Sequence, residues 1–174
     1  MKFNKNKSAR TVAIGGVFLA LSVVFLFLAT IIPGIELTLF TLSSFFVAFM
    51  IIETSIQGGW IFYLASYLIA YIIIPNKGAI IPFAIFFGLY PVIKYYIESF
   101  KRIPFPIEII IKLVLFNVIF GAGVILFKQL FLNAVQIPDV AFPIIIIGAQ
   151  VFFLVYDYLL TLAVGFYLKK RPKG

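Results

Sequence analysis

The chain has 174 residues, 64% of them hydrophobic and only 11% charged, too little polar surface for a soluble domain of this size. A formal net charge of +8 would suit nucleic acid in a soluble protein, but these basic residues form no patch on a folded aqueous face, so no nucleic-acid partner is expected. Cys and His are both absent, which removes disulfides, thiol chemistry, imidazole acid–base catalysis and His-ligated metals.

Lys2, Lys5, Lys7 and Arg10 precede the first apolar run. This opening is like a signal peptide, but the run from Ala13 to Ile32 is long for its apolar core and further runs follow. It reads as a retained first helix. That helix spans about Thr11 to Ile32 and stops at Pro33-Gly34, where proline ends the helix and glycine permits the turn. The second helix covers about Leu37 to Ile52, and the stretch Glu53 to Gly59 is a polar, glycine-rich turn. The third spans about Trp60 to Ile74, short against the ~20 residues a bilayer needs. It can borrow length from Ile56 and Gln57 or lie beneath thinned lipid.

Pro75-Asn76-Lys77-Gly78 is a turn by composition. The fourth helix covers about Ala79 to Phe100, with Pro82 near its start and Pro91 inside it, where the lost backbone bond predicts a kink. Lys101 to Pro106 forms a central loop, the fifth helix runs from about Ile107 to Leu130, and Leu132 to Pro138 is an outer loop. The sixth runs from about Phe142 to Leu168. The expected fold is an all-α integral membrane protein, with six transmembrane helices forming a single domain over residues 1–174.

The basic residues also set an orientation. Four precede the first run, Lys101 and Arg102 occupy the central loop, and Lys169, Lys170, Arg171 and Lys173 follow the last run. Only Lys77 and Lys128 lie at the alternate connections. The positive-inside rule then puts both termini and the central loop in the cytoplasm. The basic ends also meet anionic lipid there.

Polar groups inside the membrane are expensive and so are candidates for function. Asp157 lies twelve residues before Lys169, roughly 18 Å along the helix axis and near mid-bilayer. Gln150, Asp157 and Thr161 share a helical face by their spacing. Asp157 is either a structural partner of Lys94 or Lys112, or a ligand or coupling group. Trp60, Tyr63, Tyr67 and Tyr71 form an aromatic stripe on the third helix. It suits a planar organic ligand, or else helix packing and an interfacial belt. Asn117 shares a face with Gly121 and Lys128; a solute is expected toward the outer half among Trp60, Tyr63, Tyr67, Asn117, Gln150 and Asp157, with Lys77 near the entrance. Thr38, Thr41 and Ser44 read as backbone-bonding or close-packing groups. Glu108 and Lys112, like Lys94 and Glu98, have the spacing of a helical ion pair.

Ala13, Gly16 and Ala20 place small residues on the first helix, with Gly16-xxx-Ala20 permitting close approach of another helix. No glycine-rich phosphate loop follows a strand, and Ser8, Ser22, Ser43 and Ser44 have no His base. No enzyme activity, cofactor or metal is expected.

The basic opening, the stretch Arg10-Thr-Val-Ala13-Ile-Gly-Gly16-Val-Phe-Leu-Ala20-Leu and the six-helix hydropathy pattern carry a resemblance across the whole chain. It resembles the substrate-binding S component of energy-coupling factor (ECF) transporters, bacterial importers of vitamins and other micronutrients. Pro75-Asn-Lys-Gly78, Phe-Phe-Gly88-Leu-Tyr-Pro91-Val-Ile-Lys94 and Val155-Tyr-Asp157-Tyr are similar to uncharacterised bacterial membrane proteins grouped with such components. The resemblance implies that the small residues Ala13, Gly16 and Ala20 dock on a transmembrane coupling subunit, with Gly in place of the usual Ala. It also implies an outward-opening small-molecule pocket among the later helices, capped by the loop between the first two, and energy supplied by partner ATPase subunits. A second reading is a structural membrane scaffold resembling the cell-shape protein MreD, whose helices bind partner proteins. A third, a membrane lipid enzyme, lacks catalytic groups.

Overall fold

The computed structural model describes residues 5–100, 104–132 and 141–170, and their side chains apart from those of 5–8, 105, 124–132 and 141–142. The central-loop residues Lys101 and Arg102, the outer loop beyond Leu132, the termini and the side chain of Lys128 therefore lie outside the described residues. Every described element is helical, and six stretches are long and apolar enough to cross a membrane. The elements are α1 (Lys5–Ala29), α2 (Glu36–Glu53), α3 (Ile56–Ile73), a 3-10 turn (Lys77–Ile80), a π turn (Phe83–Phe87), α4 (Tyr90–Ser99), α5 (Phe105–Leu132) and α6 (Ala141–Lys170).

The turn after α1 follows the sequence closely. Gly34 has a φ of +91°, a conformation that costs glycine little, and its N–H donates to Glu36 Oε2 at 2.9 Å. Thr30 Oγ1 donates to the Phe27 carbonyl at 2.7 Å, sharing that acceptor with its own backbone N–H at 3.0 Å. At the next turn Ser55 caps α3, its Oγ accepting from the Gly58 N–H at 3.3 Å. The helix therefore starts at Ile56, so α3 does borrow Ile56 and Gln57 and reaches 18 residues.

Proline disturbs the fourth span more than a simple kink. Pro91 has no N–H and crowds the carbonyl four residues before it. Just ahead of it the chain widens into the π turn, with the Gly88 N–H bonded to the Phe83 carbonyl at 2.8 Å. This diverts the donor that Ala84 would have used, and the Tyr63 hydroxyl supplies another at 2.6 Å. Gly88 makes the approach possible: a Cβ there would stand 2.6 Å from Tyr63 Cδ2 and 2.9 Å from Phe83 Cζ.

Tertiary contacts gather residues 1–96 and 162–174 into one compact unit and residues 97–161 into a second. The first unit is centred on α1, α2 and α3, with Leu26, Val47, Ala70, Ile74, Phe83 and Tyr90 buried in its core. Its buried polar content is small, and the Ser66 hydroxyl on α3 is buried with no hydrogen-bond partner among the described residues. Ser22 and Ser43 share a hydroxyl bond of 2.7 Å between α1 and α2, while Thr41 and Ser44 bond backward to the Leu37 and Thr41 carbonyls. The last turns of α6 belong to this unit, where Tyr167 stacks on Phe49 at 4.4 Å and donates to Glu53 Oε1 at 2.8 Å.

The second unit contains α5, most of α6 and the last residues of α4. Between α5 and α6 the Phe116 and Phe153 rings stack at 4.6 Å with planes 13° apart.

Candidate functional site

The residues singled out by sequence fall into both units. On α3, Tyr63 is buried and its hydroxyl is bonded to Ala84, while Trp60 meets the Tyr63 ring edge-on at 6.0 Å. Tyr67 is half-buried and tilts against Tyr71 at 5.9 Å. The stripe therefore forms two local pairs, with the inner tyrosine committed to holding the π turn. Lys77 folds back on the end of α3: its Nζ donates to the Ile74 carbonyl at 2.7 Å and to the Tyr71 carbonyl, and lies 4.7 Å from the Tyr71 ring centre. An ammonium at a helix C-terminus satisfies open carbonyls and meets the negative end of the dipole.

The second unit holds Asn117, Gln150 and Asp157. Asn117 and Gln150 form a reciprocal amide pair, with Gln150 Nε2 donating to Asn117 Oδ1 at 2.7 Å and Asn117 Nδ2 donating to Gln150 Oε1 at 3.1 Å. Asn117 Nδ2 also reaches the Leu113 carbonyl at 2.8 Å. Farther along the same two helices lies a charged node. Lys112, 3% exposed, brings its Nζ to 2.6 Å from Glu108, 2.7 Å from Glu98 and 3.5 Å from Asp157. Three of the chain's six carboxylates thus meet at one ammonium. Among the described residues no carboxylate group is arranged to hold a metal ion. Thr161 Oγ1 donates to the Asp157 carbonyl at 3.0 Å.

Two partners escaped the sequence reading. Glu98 reaches Lys112 on α5, a pairing that spacing within α4 does not reveal. The Ser22–Ser43 bond was also missed, although a signal was present. Ser22 stands seven residues before the end of α1 and Ser43 seven after the start of α2, roughly 10 Å in each case and therefore at one level.

The small residues of α1 lie on an open face. Ala13, Gly16 and Ala20 are exposed, and a Cβ built at Gly16 would have no neighbour within 4 Å. The opposite side is packed, with Phe18 against Phe46 at 5.3 Å and Phe49 at 6.0 Å. No family model, no curated protein and no solved structure matches the chain.

Proposed function

We propose that this chain is the substrate-capturing membrane subunit of an ECF-type importer, taking up a vitamin or similar micronutrient across a bacterial cell membrane with both termini in the cytoplasm. The observation that carries this reading is the open small-residue face of α1, where Ala13, Gly16 and Ala20 are exposed on a helix whose other side is packed. Small residues drive close helix association in lipid, where no hydrophobic force joins helices. That face would receive the coupling subunit, and ATPase subunits would supply the energy. The solute-facing groups are proposed to be Trp60, Tyr63, Tyr67, Asn117, Gln150 and Asp157, with Lys77 at the entrance. The chain itself is proposed to catalyse no reaction and to need no cofactor.

Replacing Gly16 or Ala20 with Leu is expected to reduce co-purification with the coupling and ATPase subunits while leaving the isolated subunit folded. Normal assembly of both variants overturns the docking role. Mass spectrometry of small molecules co-purifying with the wild-type protein is expected to find one bound micronutrient. For the topology, a cysteine at Asn76 should react with an impermeant reagent outside intact cells and one at Lys170 should not. Labelling at Lys170 from outside sinks the orientation.

The scaffold reading has its own support: Tyr63 and Lys77 are engaged in holding the π turn and capping α3. If these groups serve packing alone, Tyr67→Leu and Asn117→Leu leave no solute affinity to lose, and shape-determining proteins co-purify in place of ATPases.

A further inference from the structure

We infer that the face of α5 and α6 around the Asn117–Gln150 pair docks a second copy of this chain within the membrane. Both residues lie in stretches long and apolar enough to cross a bilayer, Asn117 in Pro106–Gly123 and Gln150 in Pro143–Lys170. At that depth no water takes up an open hydrogen-bonding group, so an uncovered amide is costly. Asn117 is nevertheless exposed and Gln150 only half-buried.

The donors and acceptors of the pair define what it still needs. Both N–H groups of Asn117 are used, one on the Leu113 carbonyl and one on Gln150 Oε1. Gln150 uses one N–H on Asn117 Oδ1 and keeps another that bonds to no described residue. Each amide oxygen accepts one bond within the pair and has a second lone pair open. The patch therefore offers one donor and two acceptor sites, all carboxamide.

Such a patch is complementary to itself. Two copies related by a two-fold axis along the membrane normal present the same groups to each other. The open Gln150 N–H of each copy then donates to an open amide oxygen of the other, and both donors are satisfied at once. A purely apolar helix or a lipid tail leaves the donor bare.

The surface around the pair suits a helix contact. Val114 and Ile110 stand three and seven residues before Asn117 on the same side of α5, each 58% exposed. On α6 Leu154, four residues after Gln150, is 44% exposed. One turn beyond Asn117, a Cβ built at Gly121 has nothing within 4 Å, which leaves room for a facing backbone. The docking depends on neither reading of the chain's function. Under the solute reading, a second copy and the solute compete for the same amides.

The chain has no native cysteine, so Lys170→Cys, at an exposed position, carries a single fluorophore. Donor-labelled and acceptor-labelled full chains are mixed in phosphatidylcholine liposomes, and energy transfer is followed as lipid is added. The chain without further substitution is expected to show transfer above that of randomly placed monomers, falling on dilution. Asn117→Leu/Gln150→Leu is expected to weaken association roughly eightfold, for two interhelical bonds lost per dimer. Val114→Trp keeps the amide pair and is expected to weaken association by obstructing the face. Leu159→Trp lies nine residues from Gln150, on the opposite side of α6 at ~100° per residue, and is expected to change nothing. Transfer at the random level in the chain without these substitutions overturns the docking, whatever else covers the face. Association unaffected by Val114→Trp, or weakened as much by Leu159→Trp, overturns this face as the contact. Association kept in the double-leucine variant overturns the amide match. Should that variant fail to insert, Val114→Trp against Leu159→Trp still tests the face with the pair intact.

Discussion

The α1–α3 bundle and the α5–α6 pair are both built from long apolar helices, yet they are held by different interactions. In the bundle the buried side chains are mostly apolar; Ser22 and Ser43 bond to one another, Thr41 and Ser44 bond to backbone within their own helix, and the buried Ser66 hydroxyl has no hydrogen-bond partner among the described residues. In the pair an ion cluster and an amide pair cross between helices, with the Phe116–Phe153 stack beside them. Lipid tails are as apolar as leucine, so apolar side chains gain little by leaving lipid for a helix partner. The bundle answers this with close shape fitting, and the pair with polar bonds whose alternative is an unsatisfied group in hydrocarbon. A fitted interface yields to changes of volume. A polar one yields to the loss of a single partner.

The sharpest break in this contrast is Lys112→Met, which removes the cation but keeps the stem. Three carboxylates then lose their shared partner, and a loss of about 3–5 kcal/mol is expected, read as a large fall in thermal stability in detergent. Lys112→Arg should recover much of it. A fall no larger than that of a surface substitution would mean the node contributes nothing to the pair.

The bundle should break through volume. Gly88→Ala puts a methyl within 2.6 Å of the Tyr63 ring and 2.9 Å of Phe83, and overpacking of this kind costs about 1–3 kcal/mol. The comparison fails if this methyl is accepted at no cost. Tyr63→Phe keeps the ring and removes the donor to the Ala84 carbonyl, for an expected loss of about 1 kcal/mol. An unchanged melting temperature would show that the π turn satisfies itself.

Ser22→Ala is the mildest of the four. It ends the hydroxyl bond to Ser43, but Ser43 still reaches the Ser22 carbonyl at 3.3 Å. Interhelical bonds in membranes average about 0.6 kcal/mol, and the change should fall near that value. A loss as large as that of Lys112→Met would erase the distinction between the two regions.

Much of the fold was legible in advance because single residues enforce it. Pro33-Gly34 ends α1 through a missing donor and a positive φ, whereas the Ser55 cap that starts α3 at Ile56 lies inside the stretch the sequence marked as a turn. The expected pair Glu108–Lys112 is present because both members sit on one helix, where spacing alone sets distance. Of the two partners suggested for Asp157, Lys112 is found beside it. Thr41 and Ser44 bond to backbone as their positions suggested. The groups named for solute binding were legible as polar or aromatic residues in apolar runs. Their companions were not. Tyr63 meets Ala84 only because a π turn diverts a donor, and Lys77 caps α3 only because the chain doubles back after Pro75.

What the sequence determined by itself is local or global in scale: helical spans from runs of apolar residues, ends marked by proline and glycine, and a membrane environment from composition. Backbone bonds must be satisfied within each span when no water is present, so length and hydropathy suffice to define it. Tertiary structure decided which polar groups meet. Glu98 joins Lys112, Asn117 joins Gln150 and Tyr167 joins Glu53 across separations of 14, 33 and 114 residues. Such pairings depend on how helices rotate and cross, and those angles are set by packing of many side chains at once. No spacing along one chain segment encodes them.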